Sequence, residues 1–316
     1  MIQLTGLLGI LVISLLIVIK AADLFVDNLV DIGKSLEISE IILGVTASAI
    51  GTSLPEFGSA MIATLTGSSD IGVGVVIGSN IWNIAGILGI SAFVAGVIQT
   101  NRQEIMRDGM MTLLTVLILM GFLLFVNEIT RMVGIVLISV YVVYLWILIR
   151  AQKENSKNSK SSQKKSISWK NVFFVIIGLI GLIIGCRLLV YSGVELAEIG
   201  GIPKMIVGLF ALGIGTSAPE LVVTLTSAMK KLHSLSIGTV LGSNVFNIMI
   251  GIGIPTLFMN IPIESLSITF DAPLMVFVTV LLLLFAGLEK KITRYAGLTL
   301  VIIYVCYIIL RIYITV

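Results

Sequence analysis

The chain has 316 residues, of which 57% are hydrophobic, 12% charged and 7% aromatic, with a formal net charge of +3 and a mean hydropathy of +1.13. A water-soluble domain carries about 25% charged residues and cannot hide this much apolar surface, so a globular fold in water is excluded and a membrane protein is expected. The small positive excess comes mostly from lysines between apolar runs; it reports topology and excludes nucleic acid as the expected partner.

A spanning helix needs about 20 mostly apolar residues. The chain supplies ten such stretches, at 3–28, 38–66, 70–97, 108–127, 131–150, 171–195, 204–229, 235–259, 268–288 and 293–314. The first lacks a basic leader and a small-residue cleavage pattern, so it reads as a spanning helix and not as a removed signal. Between the fifth and sixth lies the one long polar stretch, Arg150 to Lys170 (RAQKENSKNSKSSQKKSISWK). It has too few apolar anchors to bury and reads as a mobile linker. The chain therefore divides into 1–150, a basic linker at 151–170, and 171–316.

Cys186 and Cys306 both sit in apolar runs and read as small core residues, with no disulfide framework or zinc site. His233, the only histidine, falls in the loop from Lys230 and reads as solvated. No histidine is left inside the membrane to serve as a general base, so an intramembrane hydrolase is not expected and no cofactor is implied.

The linker separates two copies of one pattern. A shift of 164 positions, without a gap, lays Gly44 on Gly208 and Gly51-Thr52-Ser53-Leu54-Pro55-Glu56 on Gly215-Thr216-Ser217-Ala218-Pro219-Glu220. The same shift lays Gly78-Ser79-Asn80-Ile81-Trp82-Asn83 on Gly242-Ser243-Asn244-Val245-Phe246-Asn247. Two compound motifs at one offset make the chain an internal duplication. Each half holds five spans, an odd number, so the second must enter the membrane from the opposite side. The expected fold is an all-α membrane protein of ten transmembrane helices in two inverted five-helix repeats. With the linker placed in the cytoplasm, Lys34, Arg102, Arg107, Lys230, Lys231, Lys290, Lys291 and Arg294 also fall inside, while Arg131, Lys204 and Arg311 fall outside. That bias obeys the positive-inside rule and puts both termini outside the cell membrane.

The chemistry concentrates in the repeated motifs. Glu56 and Glu220 each lie inside an otherwise uncharged stretch, Ile41 to Ser69 and Met205 to Met229. A carboxylate at that depth costs about 2.5 kcal/mol or more, so it needs a partner or a cation. No Lys or Arg lies at that depth in either motif helix. Pro55 and Pro219 precede the glutamates and should break the helix, freeing backbone carbonyls that only protein, water or an ion can satisfy. Where the helix persists, Thr52 and Ser53 share a face with Glu56, as Thr216 and Ser217 do with Glu220, while Ser79 with Asn83 and Ser243 with Asn247 form further polar faces. Such small polar residues also serve as interhelical glue. The donor set is all oxygen, which suits calcium better than magnesium or a soft metal. Two ionised glutamates are neutralised by one divalent or two monovalent cations, and an empty site leaves buried charge unpaired. That is the charge logic of an antiporter.

GTSLPE and GTSAPE, each followed 22 residues after its glutamate by GSN and then an asparagine, resemble the paired alpha-repeats of the calcium/cation antiporter superfamily, and within it the prokaryotic sodium/calcium exchangers. The resemblance covers essentially the whole chain. It implies that Glu56 and Glu220 are the central calcium ligands, completed by the backbone carbonyls of Thr52 and Thr216. Sodium would be held by the same glutamates with Ser53, Ser79, Ser217 and Ser243 and by freed carbonyls near Ala49 and Gly213, with Asn83 and Asn247 lining the middle of the site. It also implies that the first and sixth spans slide across the other eight to give alternating access. Lys20 and Asp23 in the first span and Arg187 in the sixth read from sequence as interfacial snorkelling groups.

Two departures set the expected counter-ion. Asparagine at Asn247, where potassium-dependent relatives carry aspartate, argues against potassium, and Phe57 and Leu221 after the glutamates replace the histidine of proton-coupled relatives. Sodium is the expected counter-ion, with a proton- or potassium-coupled exchanger as the alternative and a cation channel as the reading from another class. A linker of this length holds no calcium-sensing domain. Beyond the bilayer and the ions, no obligatory protein partner is expected.

Overall fold

The computed structural model describes residues 2–65, 69–125, 128–158, 168–200, 214–262 and 264–315. Helix α1 (Ile2–Leu36) is followed by a bent pair, α2 (Glu40–Thr52) and α3 (Leu54–Leu65). Helix α4 runs over 69–95 and changes from α to π winding at Trp82–Leu88. Helices α5 (Arg102–Phe125) and α6 (Arg131–Asn158) complete the first half. The second half holds α7 (Trp169–Ile199), α8 (Ala218–Met229), α9 (His233–Leu257), α10 (Ser267–Leu288) and α11 (Arg294–Thr315).

Eight helices among the described residues are long and apolar enough to cross a membrane, or nine if the bent pair forms one span. The chain is thus an all-α, multi-pass membrane protein. Large apolar side chains such as Val12, Leu117, Val142 and Ile302 are exposed, as a lipid-facing surface requires. The span expected at 204–229 is described only from Ile214 onward.

The duplication carries through to the elements. Helix α3 moved by 164 residues falls on α8 from its first residue to its last. Strands β1 (Val97–Gln99), β2 (Glu128–Ile129), β3 (Ile261–Pro262) and β4 (Lys291–Thr293) close two small antiparallel pairs. Each pair crosses between the halves, β1 with β4 and β2 with β3. Close approach at the centre is bought with glycine: a Cβ on Gly44 would lie 2.8 Å from the Leu235 carbonyl, and one on Gly238 would lie 2.8 Å from the Ile41 carbonyl. Without side chains there, α2 and α9 cross tightly enough for Ser48 and Thr239 to share a buried hydrogen bond of 2.8 Å.

Apolar packing falls into two clusters. The larger joins α4, α5, α6, α9, α10 and α11 through residues such as Ile84, Leu119, Tyr144, Ile248, Leu282 and Tyr304. The smaller joins α1 to α7 through Val18, Phe25, Leu182 and Cys186, and touches the rest at Leu43, Ala218, Val223 and Leu235. Gly178 on α7 lies so near α1 that a Cβ would stand 2.8 Å from the Phe25 amide nitrogen. Helices α1 and α7 therefore form one tightly packed pair beside a larger block.

Several sequence expectations change. Helix α6 continues to Asn158, so the polar segment starts as helix, because nothing before Asn158 breaks the turn; residues 159–167 lie outside the described residues. Cys186 is buried as expected, but Cys306 is exposed on α11, where lipid can cover a thiol as readily as a core does. His233 is the first residue of α9 and half-buried, not a free loop residue. Asp23 has a protein partner: it pairs with Lys230 at 2.9 Å, and Asp27 reaches the same ammonium at 2.7 Å. Burial disfavours the Lys230 ammonium, but the hydrogen bonds and charges of Asp27 and Asp23 prevail and hold its pKa above the usual lysine value.

Candidate cation site at the two broken helices

Both motifs break where proline removes a backbone donor. Ser53 (φ −84°, ψ 5°) and Ser217 (φ −88°, ψ 12°) leave helical geometry in the same way, and α2 meets α3 at 42°. Pro55 and Pro219 then occupy the opening turns of α3 and α8, where a missing N–H costs nothing. Glu56 and Glu220 follow in those same first turns. A helix N-terminus carries partial positive charge, which favours an anionic side chain there.

The two glutamates are wholly buried and close enough to repel one another. The break redirects the hydroxyls. Thr52 and Ser53 were expected to share a face with Glu56; instead they neighbour Glu220 of the other half, and Ser53 Oγ donates to Glu220 Oε1 at 2.7 Å. Reciprocally, Thr216 and Ser217 neighbour Glu56, with the Ser217 hydroxyl short of a well-formed hydrogen bond. Both Glu56 oxygens and Glu220 Oε2 have no hydrogen-bond partner among the described residues. Buried carboxylate oxygens left in that condition are costly unless a cation meets them.

The other expected residues divide. Ser79, Ser243 and Asn247 are buried with side-chain polar atoms that find no partner among the described residues, and so is the Asn83 carbonyl oxygen. Asn83 and Asn247 each sit at the start of a π-helical run, Trp82–Leu88 and Asn247–Ile252, a winding frequent at functional sites. Ala49 is a correction: its carbonyl is not freed, because α2 stays helical to Thr52 and that oxygen accepts the Ser53 amide at 3.0 Å and the Thr52 hydroxyl at 3.4 Å. Gly213 lies outside the described residues.

Two sets of residues were missed. Asn80 Nδ2 donates to the Asn244 carbonyl at 3.1 Å, Asn244 Nδ2 returns the bond to the Asn80 carbonyl at 3.0 Å, and Asn83 Nδ2 donates to Asn244 Oδ1 at 3.0 Å. This clasp joins the halves beside the motif helices, and the repeated GSN was its signal. The buried aspartates Asp108 and Asp271 were also passed over because they stand at the heads of apolar spans. Each accepts from a tyrosine 36 residues later, Tyr144 at 3.0 Å and Tyr307 at 3.1 Å. Each also has an arginine, Arg107 at 2.7 Å and Arg311 at 3.2 Å. These paired carboxylates fix α5 to α6 and α10 to α11. Among the described residues no group of three or more His, Cys, Asp or Glu converges on a metal geometry, so the motif site rests on two carboxylates with neutral oxygens around them.

A cavity of about 230 Å³ adjoins the motifs. Pro55, Thr216 and Pro219 line it on the site side, and Cys186, Arg187 and Tyr191 of α7 line it on the other. Arg187 therefore faces this cavity, where snorkelling to lipid headgroups was expected.

Spanning helices broken at paired buried carboxylates define a polytopic membrane transporter of the cation-exchanging class. The chain belongs to the sodium/calcium exchanger protein family, whose sequence profile matches residues 6–150 and 170–313. It is 28% identical to the sodium/calcium exchanger MaX1 of Methanosarcina acetivorans, over 96% of this chain and 98% of that protein. It is 30% identical to the inner membrane protein YrbG of Escherichia coli, over 86% of each. Among solved structures it is similar to the sodium-calcium exchanger NCX_Mj soaked with Na+ and Sr2+, with a TM-score of 0.84 and 28% identity over 98% of both chains.

Proposed function

We propose that the chain is a secondary antiporter that exchanges sodium for calcium by alternating access at a site between two inverted five-helix repeats. The observation that carries this reading is the pair Glu56 and Glu220, buried together with three of their four oxygens lacking a partner among the described residues. A charge of minus two in a low-dielectric site is matched by one calcium or by two sodium ions, so each form of the loaded site is neutral and able to cross. Glu56, Glu220 and the carbonyls of Thr52 and Thr216 serve calcium, which accepts about six to eight oxygens in flexible geometry. The hydroxyls of Ser53, Ser79, Ser217 and Ser243 join the glutamates for sodium, and Asn83 and Asn247 line the middle of the site.

Ten spans in two inverted repeats are supported by the recurrence of elements at one shift and by strand pairs that cross between halves. The separate apolar cluster of α1 and α7 supports these two helices as the pair that moves against the larger block. The charge bias of the loops puts the linker in the cytoplasm and both termini outside.

The test is calcium uptake into proteoliposomes preloaded with sodium, with potassium and pH equal on both faces and choline-loaded vesicles as control. Uptake is expected only with internal sodium, and not in Glu56→Gln. Uptake indifferent to sodium moves the coupling to protons or potassium, and calcium flux without any counter-ion makes the site a channel filter.

A further inference from the structure

The shift that superposes the motifs also lays Asp23 on Arg187 and Asp27 on Tyr191. Equivalent positions thus carry opposite charge. Arg187 is exposed, lines the cavity beside the motifs, and is the only charged residue in that lining among the described residues. It takes part in no ion pair among the described residues. A charged side chain within a spanning helix is expensive and is retained where it faces protein or a water-filled pathway.

On α1 the equivalent surface is more closely packed toward the motifs, while its acidic rim stays partly exposed, Asp23 by 43% and Asp27 by 61%. Ala22 and Val26 are fully buried, Gly51, the counterpart of cavity-lining Gly215, packs against Leu179, and Asp23 and Asp27 both hold Lys230. Helices α1 and α7 therefore present equivalent surfaces that are unequally covered, the α7 one bordering a cavity. In a transporter built of inverted repeats, the second access state exchanges the roles of equivalent surfaces about the fixed site. One mouth is then lined by the guanidinium of Arg187, and the other by the carboxylates of Asp23 and Asp27. Even with the Lys230 ammonium beside them, those two carboxylates leave a net charge of minus one.

We propose that this charge inversion gives the two mouths unequal apparent affinity for calcium: Arg187 weakens calcium at the α7 mouth, and Asp23 with Asp27 strengthens it at the α1 mouth. The proposal rests on the antiport reading above. Coulomb energy scales with ionic charge, so a fixed charge acts on calcium twice as strongly as on sodium at the same distance. Sodium is favoured over calcium at the α7 mouth and calcium over sodium at the α1 mouth. With the linker in the cytoplasm, α7 runs outward from its start at Trp169 and α1 runs inward toward Leu36, so the face of higher apparent calcium affinity is the cytoplasmic one.

The experiment measures half-saturating calcium and sodium separately on each face of oriented vesicles. For Arg187→Gln the half-saturating calcium at one face should fall about three- to tenfold and that for sodium by about the square root of that factor, with Arg187→Lys close to the unsubstituted protein. Asp23→Asn combined with Asp27→Asn should raise half-saturating calcium at the opposite face, and both effects should shrink as choline chloride is added. Equilibrium calcium binding in detergent checks that each variant is folded. The proposal is overturned if both variants act on the same face, if neither shifts calcium, or if sodium and calcium shift by the same factor. Failure of the unsubstituted protein to exchange would instead overturn the antiport reading.

Discussion

Ser53 and Ser217 occupy equivalent positions before equivalent prolines, yet only Ser53 closes a hydrogen bond to a glutamate, Glu220 at 2.7 Å. Asn83 reaches Asn244, while Asn247, its counterpart, leaves both amide atoms unpartnered among the described residues. Gly215 lines a cavity where Gly51 meets Leu179. The two halves share a sequence pattern and not a set of contacts. A duplicated chain that held both halves alike would be open to both faces or to neither, so unequal contacts from equal motifs are what one-sided access requires.

The strongest way to break this comparison is to remove one charge from each half in turn. Glu56→Gln and Glu220→Gln should each reduce sodium-dependent calcium uptake at least a hundredfold, because either leaves a charge of minus one that calcium overcompensates and a second sodium cannot satisfy. Retained uptake in either variant would mean that the halves do not contribute equally to the ion.

The asparagine clasp sharpens the comparison next. Asn244→Ala removes its own donated bond and the acceptor of Asn83, and should cost about 2–4 kcal/mol of stability, whereas Asn80→Ala removes one donated bond and should cost about 1–2 kcal/mol. Thermal unfolding in detergent would rank the two, and equal losses would count against the Asn83 bond.

The serines should differ less. Ser53→Ala loses a charge-assisted bond and should weaken apparent ion affinity about tenfold, with Ser217→Ala weaker in effect, read by equilibrium calcium binding. The smallest change is expected at the rim. Lys230→Gln should alter stability by at most about 1 kcal/mol, and that difference should vanish in high salt, because the Lys230 pairs with Asp23 and Asp27 are partly exposed.

Much of this was legible in the sequence because a duplicated motif reports itself twice. The proline-glutamate steps, the apolar spans and the repeat offset follow from composition and spacing alone. Cross-pairing of Ser53 with Glu220 was not legible: helical spacing assigned the serine to Glu56, and only a break at Ser53 turns it to the other half. Ala49 came from the family resemblance and not from spacing; Pro55 withholds its donor from the Gly51 carbonyl, so the Ala49 carbonyl keeps the Ser53 amide. Asp108 and Asp271 escaped because a charge at the head of a span looks interfacial until tertiary packing buries it under Tyr144 and Tyr307.

The strand pairs carry a consequence for biogenesis. Val97 pairs with Thr293 and Glu128 with Pro262, so each half leaves the ribosome with two short edges whose partners belong to the other half. Neither half can close its own ladders: in a nascent first half Glu56 lacks Thr216, Ser217 and Glu220 until the second motif has been made, and the β1 edge stays unpaired until the chain reaches Thr293. Two separately synthesised halves should therefore be degraded when expressed singly and recover one another when expressed together.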